Sequence, residues 1–500
     1  MRIKLDKSNK TKIMVWLGNN PGYFGITKKI LEKYPCELFG IIDHPENSKR
    51  FFENQKMVKF TKKWYLRDEI QEKEIIDYDY LELFEKKYKI SLWQIIYSDR
   101  FFNKYNKYHL FTEDEIFQLV QNECKFFERV LDDINPDFVI IKMTESHQDY
   151  LFHEICLAKK IRILTAGAVR FSGRTIISSE VDKMDVDFED FKVTNEKVMG
   201  FEELQNYMKG YSKDIKTLVD KSGITTSSIL RLSLKYLKMV SSKNFKKNFE
   251  SKGKTPLQVI LKITNRSIRK WNVQRYLKKH TIKKISDQKF IYFPLHYEPE
   301  RNISIGAPFY ENQIEVIANI AKALPVKYKL FVKDHPLMEK IGMRDISSYK
   351  KINDFPNVEL VSKITSEELL KKCSLLITVA GTSGLEAAFY GKPSIVFSDV
   401  VFEKLPSVFR VRDFEELPNT IKLALEIKIN IIDLNKYVEF IKKNSFEFDF
   451  IEFTKDSIDA WYGNIVEDLD ISEEDIQKHL EEYDSKFDVI ASEFIKKIRH

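Results

Sequence analysis

The first part of the chain alternates short apolar runs with amphipathic stretches. The run KIMVWLG is followed by the turn sequence NNPGYFG, the amphipathic stretch ITKKILEKY and a second apolar run, CELFGIID. Short apolar runs bounded by turn residues predict buried strands, and apolar positions three and four residues apart predict helices. The order strand, helix, strand predicts a β-α-β unit at the start of the chain.

The same alternation continues as far as residue 185. Helical patterns lie in FQLVQNECKFFERVLDDI and HQDYLFHEICLAKKI, and apolar runs lie in NPDFVIIK and RILTAG. Thr112 and Glu115 have the spacing of a capping box at the start of the first helix. Strands that alternate with helices predict a parallel sheet with helices on its faces. We therefore expect a Rossmann-like domain over residues 1–185.

Strand patterns fade between residues 186 and 285, where ILRLSLKYLKMV and NRSIRKWNVQRYLKK have helical periodicity. We interpret residues 186–285 as a helical insertion or connector. Alternation resumes with the segments KFIYFPLH, ENQIEVIANIAKAL, YKLFVKD, VELVS, SEELLKKC, SLLITVA, LEAAFYG and PSIVFSD. This pattern predicts a second Rossmann-like domain over residues 286–425, followed by a helical, acidic tail over residues 426–500.

The composition fits a globular α/β protein, but the charge is unevenly distributed. Residues 231–286 contain 17 lysines and arginines and a single acid, Glu250, whereas residues 445–500 contain 16 acids and 6 lysines and arginines. These two segments could attract each other, or the basic one could attract an anionic partner. An anionic membrane surface and a solvated helical face are equally good interpretations of residues 231–286. Nucleic acid is not expected, because no recognition motif accompanies the charge.

Export and membrane insertion are not predicted. The apolar stretch over residues 13–17 is too short for the core of a signal peptide, and no apolar segment is long enough to span a bilayer. The cysteines are widely spaced and lack the pairing of a metal site, which favours reduced thiols; they are Cys36, Cys124, Cys156 and Cys373. The sequence predicts a cytoplasmic protein, with peripheral contact at the inner face of the membrane left open.

The segment LLITVAGTSGLEAAFYGKPSIVF carries the strongest chemical signal. A buried strand leads into Gly381, Thr382, Ser383 and Gly384, and a helix begins at once. Such a loop presents backbone N–H groups, hydroxyls and the positive end of a helix dipole, which suits a phosphate. Glu386, in the first turn of the helix, could accept hydrogen bonds from ribose or could simply be a favourable charge. The alternative for the loop is an ordinary strand-to-helix connection, because it has neither a Walker nor a GxGxxG pattern.

Two other strand ends carry polar side chains. The segment YKLFVKDHP places Lys333, His335 and Pro336 after one strand. The segment YFPLHYEPERNIS follows another strand with His296, Glu298, Glu300 and Arg301. Because open α/β sheets bind ligands at the carboxyl ends of their strands, we expect these residues to converge with the loop over residues 381–384.

The order and spacing of YFPLHYEPERNIS, ENQIEVIANIAKALP, LFVKDHP, PNVELV and LLITVAGTSGLEAAFYGKPSIVF resemble the capsule-polysaccharide biosynthesis family, whose members include transferases that use CMP-activated Kdo. The resemblance covers most of residues 286–410. It implies a GT-B-like fold of two Rossmann-like domains and a glycosyltransferase that needs no cofactor or metal. It also implies that His335 contacts the donor phosphate or nucleotide, that Thr382 and Ser383 bind phosphate, and that Glu386 binds the ribose.

The first domain resembles the family more loosely, through TESHQDYLFHEICLAKKIRILTA over residues 144–166. There the resemblance places His147 at the head of an acceptor-side helix, although a lone histidine in this position is more often a helix-terminal hydrogen-bonding residue than a catalyst. The candidates for the base that deprotonates the acceptor are Glu145, His147, Glu298 and Glu300. The predicted donor-side residues are Arg301, Lys333, His335, Pro336, Gly381, Thr382, Ser383, Gly384 and Glu386.

We therefore predict a glycosyltransferase that moves a sugar from a nucleotide-activated donor, with a CMP-sugar favoured. Its expected acceptor is a surface or capsular polysaccharide or the lipid-linked precursor of one. Two alternatives stay open. One is a non-catalytic protein of the same fold that binds glycan or acts in assembly or export, and the other is a sugar-nucleotide epimerase.

Overall fold

A computed structural model of the chain describes residues 10–18, 20–44, 46–70, 74–100, 102, 111–169, 171, 173–180, 183–186, 188–189, 191–193, 198–208, 269–298, 300–341, 344–462 and 472–499. The chain divides into two compact units. The first unit comprises residues 1–169, 173–185 and 445–500, and the second comprises residues 170–172 and 186–444.

The strands in the described residues are, in chain order, β1 Thr11–Leu17, β2 Cys36–Ile42, β3 Lys62–Tyr65, β4 Phe138–Ile140, β5 Arg162–Ala168, β6 Arg174–Ser178, β7 Phe290–Pro294, β8 Lys329–Lys333, β9 Val358–Val361, β10 Leu375–Thr378, β11 Ser394–Val396, β12 Val408–Arg410 and β13 Phe446–Glu447.

The helices in the described residues are α1 Gly22–Lys33, α2 Glu46–Asn54, α3 Leu66–Glu69, α4 Tyr78–Tyr88, α5 Leu92–Ser98, α6 Glu113–Ile134, α7 His147–Ala158, α8 201–208, α9 269–280, α10 Arg301–Ser304, α11 Gln313–Ala323, α12 Pro336–Ile341, α13 Ile346–Asn353, α14 Ser366–Lys372, α15 Ser383–Phe389, α16 Leu417–Glu426, α17 Ile431–Asn444, α18 Phe450–Tyr462, α19 Glu473–Glu482 and α20 Asp484–Arg499. Short 3-10 turns lie at Pro308–Tyr310 and Phe414–Glu416.

The sheet of the first unit has the strand order β13-β6-β5-β4-β1-β2-β3. Strands β3, β2, β1, β4 and β5 are parallel, and β6 and β13 extend the sheet in antiparallel fashion. The direction of chain progression reverses between β1 and β4, as it does at the switch point of a Rossmann fold. The predicted capping box at Thr112 and Glu115 is confirmed at the start of α6.

Both faces of the first sheet are buried, which explains the continuous apolar run in β1. Ile13, Val15 and Leu17 belong to one core and Met14 and Trp16 to the other, because successive side chains of a strand point to opposite faces. The tail covers the face of the first sheet on which Val15 lies, since apolar residues of α18, α19 and α20 belong to the same core as Val15. Residues 445–500 of the tail are therefore part of the first unit, to whose sheet they contribute β13, whereas residues 426–444 belong to the second unit.

The sheet of the second unit has the strand order β12-β11-β10-β7-β8-β9, and all of its strands are parallel. This is the doubly wound order of a Rossmann fold, with the switch point between β7 and β10. Again both faces are buried. Ile291 and Phe293 lie in one core, and Phe290 and Tyr292 lie in the other.

The structure confirms the predicted class, an α/β protein with two Rossmann-like sheets and a largely helical tail. The predicted helical pattern in residues 229–240 lies outside the described residues, whereas α9 coincides with the second predicted helix of the connector. The predicted boundaries at residues 185, 285 and 425 stay a prediction. In the part of the chain that the structure describes, no helix is both long and apolar enough to cross a bilayer.

The contact between α1 and α20 generates a stability prediction. A Cβ atom at Gly25 would lie 2.2 Å from Cε1 of the buried Phe487 ring. Although alanine favours helix, we expect Gly25→Ala to lower the free energy of unfolding by about 1–3 kcal/mol, because the ring has to move within a packed core. Urea denaturation followed by circular dichroism measures this change.

Two further variants test the cause. Phe487→Leu introduced into the Gly25→Ala protein should recover part of the loss, because the two positions are in contact. Gly200→Ala should change stability by no more than about 0.5 kcal/mol, since no atom of the described residues lies within 4 Å of a Cβ there. Equal losses for Gly25→Ala and Gly200→Ala would contradict the explanation.

Candidate functional site

The carboxyl edge of the second sheet brings together the ends of two strands that flank its switch point. Strand β7 ends at Pro294 and leads into His296, and the adjacent β10 ends at Thr378 and leads into the loop over residues 381–384. Because the chain turns away from the switch point on both sides, a crevice forms at this place in folds of this class.

His296 bridges these two strand ends. Its side chain is buried, its Nε2 atom accepts a hydrogen bond from the backbone amide of Ala380 at 3.2 Å, and the same atom lies 3.1 Å from Oγ1 of Thr378. An amide can only donate, so Nε2 is an acceptor and the proton of the ring is on Nδ1. Gln313 holds the backbone of the histidine, because its Oε1 accepts from the His296 amide at 2.7 Å.

The loop that follows Ala380 is tightly wound against Thr378. The amide of Gly381 donates to Thr378 Oγ1 at 3.2 Å, and a Cβ atom on Gly381 would lie only 2.7 Å from that oxygen. A side chain at residue 381 is therefore excluded by its surroundings. Helix α15 begins at Ser383, and the hydroxyls of Thr382 and Ser383 have no hydrogen-bond partner among the described residues. Both residues are partly exposed, which leaves these hydroxyls accessible to a ligand.

His335 lies beyond the neighbouring strand, β8, and has a defined proton position. Burial lowers its pKa, an effect that the carboxylates of Glu300 and Asp334 only partly oppose, so the ring is neutral near pH 7. Its Nδ1 atom accepts from the Leu337 amide at 3.3 Å, which places the ring proton on Nε2. Within the described part of the chain this Nε2–H has no acceptor, so it can donate to a ligand.

A buried arginine, Arg344, lies between the segment that contains His296 and the segment that contains His335. Its guanidinium donates to Oε1 of Glu298 and to the carbonyl of His296, each at 3.1 Å, and its Nε lies 3.4 Å from Oδ1 of Asp334. Asp334 also accepts from the His335 amide at 2.8 Å and from the Tyr349 hydroxyl. Burial alone would lower the pKa of Arg344, but Asp334 and Glu298 raise it above its usual range. The arginine therefore ties the exits of β7 and β8 together as a charged brace.

The remaining predicted donor-side residues have varied surroundings. Lys333 donates to the backbone carbonyls of Ser362, at 3.3 Å, and Ile364. Glu386 lies in the first turn of α15, as predicted, and is half-buried. Pro336 and Arg301 are the first residues of α12 and α10. Their assignment to a ligand stays a prediction.

The two carboxylates after β7 differ in what they can do. Glu298 accepts from Arg344 at 3.1 Å and from the Gln313 amide, so it belongs to the brace. Glu300 is 36% exposed at its side chain, accepts from Asn302 at 2.8 Å, and has its Oε2 atom 3.9 Å from Nδ1 of His296. Of the two, Glu300 is the one that a ligand could reach.

At the switch point of the first sheet, β4 is followed by a buried lysine between two carboxylates. Lys142 donates to Asp149 at 2.7 Å and to Glu145 at 3.2 Å. The other oxygen of Asp149 accepts from the amides of Glu145 and Ser146, which caps α7. Asp149 is buried, whereas the side chain of Glu145 is 37% exposed. The lysine thus fixes a partly exposed carboxylate at the edge of this sheet.

His147, the neighbouring candidate, lies in the interior of the first unit. Its Nδ1 lies 2.6 Å from Oδ2 of Asp99, which also accepts from the His147 amide, and its Nε2 lies 3.0 Å from Oε1 of Glu123. All three side chains are buried. Burial by itself would lower the pKa of His147, but Glu123 and Asp99 raise it to about 10. An imidazolium with both nitrogens engaged has no lone pair with which to accept a proton, so His147 fits a structural ion pair better than a base.

Sequence reasoning left several of these residues without a role. The sequence identifies His296 only as one polar residue after a strand. No sequence pattern indicates a role for Arg344, Asp99 or Glu123. Asp99 and Glu123 lie 48 and 24 residues from His147 in sequence, and Arg344 lies 48 residues from His296. Local spacing does not show partners at such distances.

The resemblance predicted from these residues is confirmed by comparison with protein-family models. Residues 220–405 match the model described as capsule polysaccharide biosynthesis protein. The match includes the strand ends and the loop of the second unit described above. None of the curated proteins matches the chain.

Several solved structures are distantly similar to the chain. KpsC from Thermosulfurimonas dismutans, a beta Kdo 2,7 transferase, is 12% identical, with 74% of this chain and 95% of that chain covered and a TM-score of 0.29. The UDP-GlcNAc 2-epimerase from Methanocaldococcus jannaschii is 14% identical, with coverage of 84% and 94% and a TM-score of 0.24. The corresponding enzyme from Neisseria meningitidis, bound to UDP-GlcNAc, is 14% identical, with coverage of 87% and 100% and a TM-score of 0.23. Likenesses with TM-scores this low do not bear on function.

The brace around Arg344 predicts a large effect on stability. Arg344→Met leaves the buried Asp334 and the partly buried Glu298 without their cation, so we expect the free energy of unfolding to fall by about 3–5 kcal/mol. Arg269→Met is the matched control, because Arg269 makes a single, more exposed ion pair with Asp345 and should contribute less than about 1 kcal/mol. Chemical denaturation measures both, and similar losses for the two variants would rule out a bracing role.

The buried cluster around His147 predicts a dependence of stability on pH. Burial raises the pKa of Glu123, although His147 opposes the rise, and the pKa of His147 is raised to about 10. A raised pKa stabilises the folded state below the unfolded value and loses that contribution as pH rises through the folded value. The part contributed by His147 should therefore be full below about pH 6.5 and decline towards pH 10.

The double variant His147→Gln, Glu123→Gln provides the reference for this measurement. The difference in unfolding free energy between the wild type and this variant should shrink as pH rises from 6.5 to 10. His280→Gln, at an exposed histidine of the second unit, should show no such change relative to the wild type. A difference that is constant over this range would contradict the charged state assigned to the cluster.

Proposed function

We propose that the chain is a glycosyltransferase that binds the nucleotide of an activated sugar at the switch point of its second sheet. The observation that carries the proposal is a set of hydrogen-bond donors at the switch point that have no acceptor among the described residues. The loop over residues 381–384 is fixed by the bond between Ala380 and His296, and the hydroxyls of Thr382 and Ser383 have no protein partner in the described residues. Donors fixed before the ligand arrives stabilise developing negative charge without reorganisation.

The leaving nucleotide needs its phosphate charge stabilised, and two groups support that role. His335 offers Nε2–H from a neutral ring, and the start of α15 offers hydroxyls and the positive end of a helix dipole. Gly381 lets a bulky anion approach the backbone closely. We assign the ribose to Glu386 on the family resemblance, with Arg301 and Lys333 as additional donor-side residues. This set of donors does not require a metal ion.

The acceptor hydroxyl needs a base, and we favour Glu300. The structural reason is its exposure together with its position near the two histidines. Burial lowers the pKa of His335 and the carboxylate of Glu300 partly opposes this lowering, and the same carboxylate lies 3.9 Å from His296. Glu298 is committed to Arg344, and His147 is committed to two carboxylates. Glu145 is the remaining alternative, because it is similarly exposed.

The substrates are proposed at the level that the family supports. The match over residues 220–405 supports an acceptor that is a capsular polysaccharide, another surface polysaccharide or the lipid-linked precursor of one. A CMP-sugar is the favoured donor because of the resemblance to transferases that use CMP-activated Kdo. The proposed place of action is the cytoplasm.

A titration with nucleotides tests the donor site. CMP, UDP and GDP are added separately to the full-length protein, and the melting temperature is followed. A ligand that binds only the folded state stabilises it by about 2.7 kcal/mol at a hundred times its dissociation constant. We expect one nucleotide, CMP first, to raise the melting temperature of the wild type, and His335→Ala and Ser383→Ala to remove most of the rise. His280→Ala, at an exposed histidine of the same unit, should respond like the wild type.

A turnover measurement then separates binding from chemistry. Release of free nucleotide from the matching nucleotide sugar is followed with a capsular oligosaccharide as acceptor. Glu300→Gln should retain the nucleotide-dependent shift but lose at least about 100-fold in turnover, as general bases typically contribute. If Glu145→Gln shows this behaviour and Glu300→Gln does not, the base is reassigned. If no nucleotide shifts the melt and glycan alone does, the transferase proposal fails and a glycan-binding role replaces it.

A further inference from the structure

Helix α9 presents a cationic face on the surface of the second unit. Val273 and Leu277 lie one turn apart and are buried in the core of that unit, which fixes the rotation of the helix. The opposite face carries exposed residues only; they are Trp271, Gln274, Arg275, Lys278 and Lys279. Lys283 and Lys284, just beyond the helix, are exposed too. The surface formed by these seven residues is called the α9 face below.

The charges of the α9 face are not neutralised within the described chain. None of its five cations makes an ion pair with a described carboxylate, and no acid occurs in the sequence between Glu250 and Asp287. Helix α14 of the same unit shows the usual alternative. There Lys371 pairs with Glu367 at 2.9 Å and Lys372 lies 3.6 Å from Glu368, as on an ordinary solvated helix. The α9 face lacks this internal compensation.

A tryptophan lies in the middle of these cations. Trp271 is 59% exposed, and the guanidinium of Arg275 lies 5.4 Å from the centre of its ring. A large exposed aromatic side chain surrounded by lysines combines an apolar anchor with positive charge. Tryptophan is enriched where protein meets the headgroup region of a bilayer, because its ring is apolar and its N–H is polar.

We propose that the α9 face docks on the surface of an anionic phospholipid bilayer. Clusters of four to eight lysines and arginines are attracted to anionic headgroups, and the α9 face contributes five such residues. The exposed Trp271 of this face adds shallow insertion into the headgroup region. Nucleic acid is the less favoured polyanion, because one tryptophan and five cations on a single surface helix match none of its recognition modules. This docking is independent of the proposed catalytic activity.

Co-sedimentation with vesicles tests the proposal on the full-length protein. Vesicles of phosphatidylcholine with 30% phosphatidylglycerol, roughly the anionic content of a biological leaflet, are compared with pure phosphatidylcholine vesicles at low salt. We expect the wild type to bind only the anionic vesicles and to be released by added salt. The variant Lys278→Gln, Lys279→Gln, Lys283→Gln, Lys284→Gln should bind about 100-fold or more weakly, since each lysine near an anionic surface contributes about fivefold.

A matched pair of variants separates the α9 face from total charge. Two double variants each remove two exposed lysines from a helix of the second unit. The first is Lys278→Gln, Lys279→Gln on α9, and the second is Lys371→Gln, Lys372→Gln on α14. The first should weaken binding by about tenfold or more, and the second should leave it within about twofold of the wild type. Equal effects, or undiminished binding by the four-lysine variant, would overturn the proposal.

Tryptophan fluorescence reports the contact itself. Anionic vesicles should shift the emission of the wild type to shorter wavelength, and Trp271→Phe should abolish that shift while the protein still melts normally. An unchanged shift in Trp271→Phe would remove the tryptophan from the proposed contact.

Tighter binding of the wild type to duplex DNA than to the vesicles at equal salt would assign the α9 face to nucleic acid and overturn membrane docking. No nucleotide sugar takes part, so failure here leaves the transferase proposal standing.

Discussion

The carboxyl edge of the second sheet depends on one hydrogen bond between residues 84 positions apart, from the Ala380 amide to His296 Nε2. Because the donor is a backbone N–H, the bond fixes both the tautomer of the ring and the separation of the ends of β7 and β10. The loop over residues 381–384 follows directly, so its position is set by the same contact. A neutral histidine here acts as a structural acceptor, and the donors of the loop are left for a ligand.

Buried charge is used in both units to hold strand exits in place. Arg344 lies among Asp334, Glu298 and the carbonyl of His296, and Lys142 lies between Asp149 and Glu145. Taking such groups out of water is costly, and an apolar substitute is often as stable, so stability alone does not explain them. What they provide is a defined geometry at the edge of each sheet. In both units the buried network leaves one partly exposed carboxylate beside it, Glu300 in the second and Glu145 in the first.

The sequence was sufficient for the elements whose periodicity is strong and local. Both central strands, β1 and β7, are buried on two faces and therefore stand out as continuous apolar runs, and the capping box before α6 follows from two residues alone. The short strands β3, β12 and β13, by contrast, lack a pattern long enough to detect. The roles of His296 and His147 were beyond reach for a different reason. Each histidine is defined by partners far away in sequence, and only the folded chain shows whether a ring nitrogen is available or engaged.

The basic segment over residues 231–286 and the acidic segment over residues 445–500 have different explanations. In the tail, acids of α20 are compensated within the first unit, where Asp484 pairs with Lys29 at 2.6 Å and Asp488 with Lys33 at 2.5 Å. The acidity of the tail therefore does not require the basic segment as a counterpart. The α9 face has no such local compensation among the described residues, and clustered like charges destabilise a folded surface through self-repulsion. We propose that an anionic surface outside the protein offsets this cost, and the exposed tryptophan favours a surface with an apolar interior.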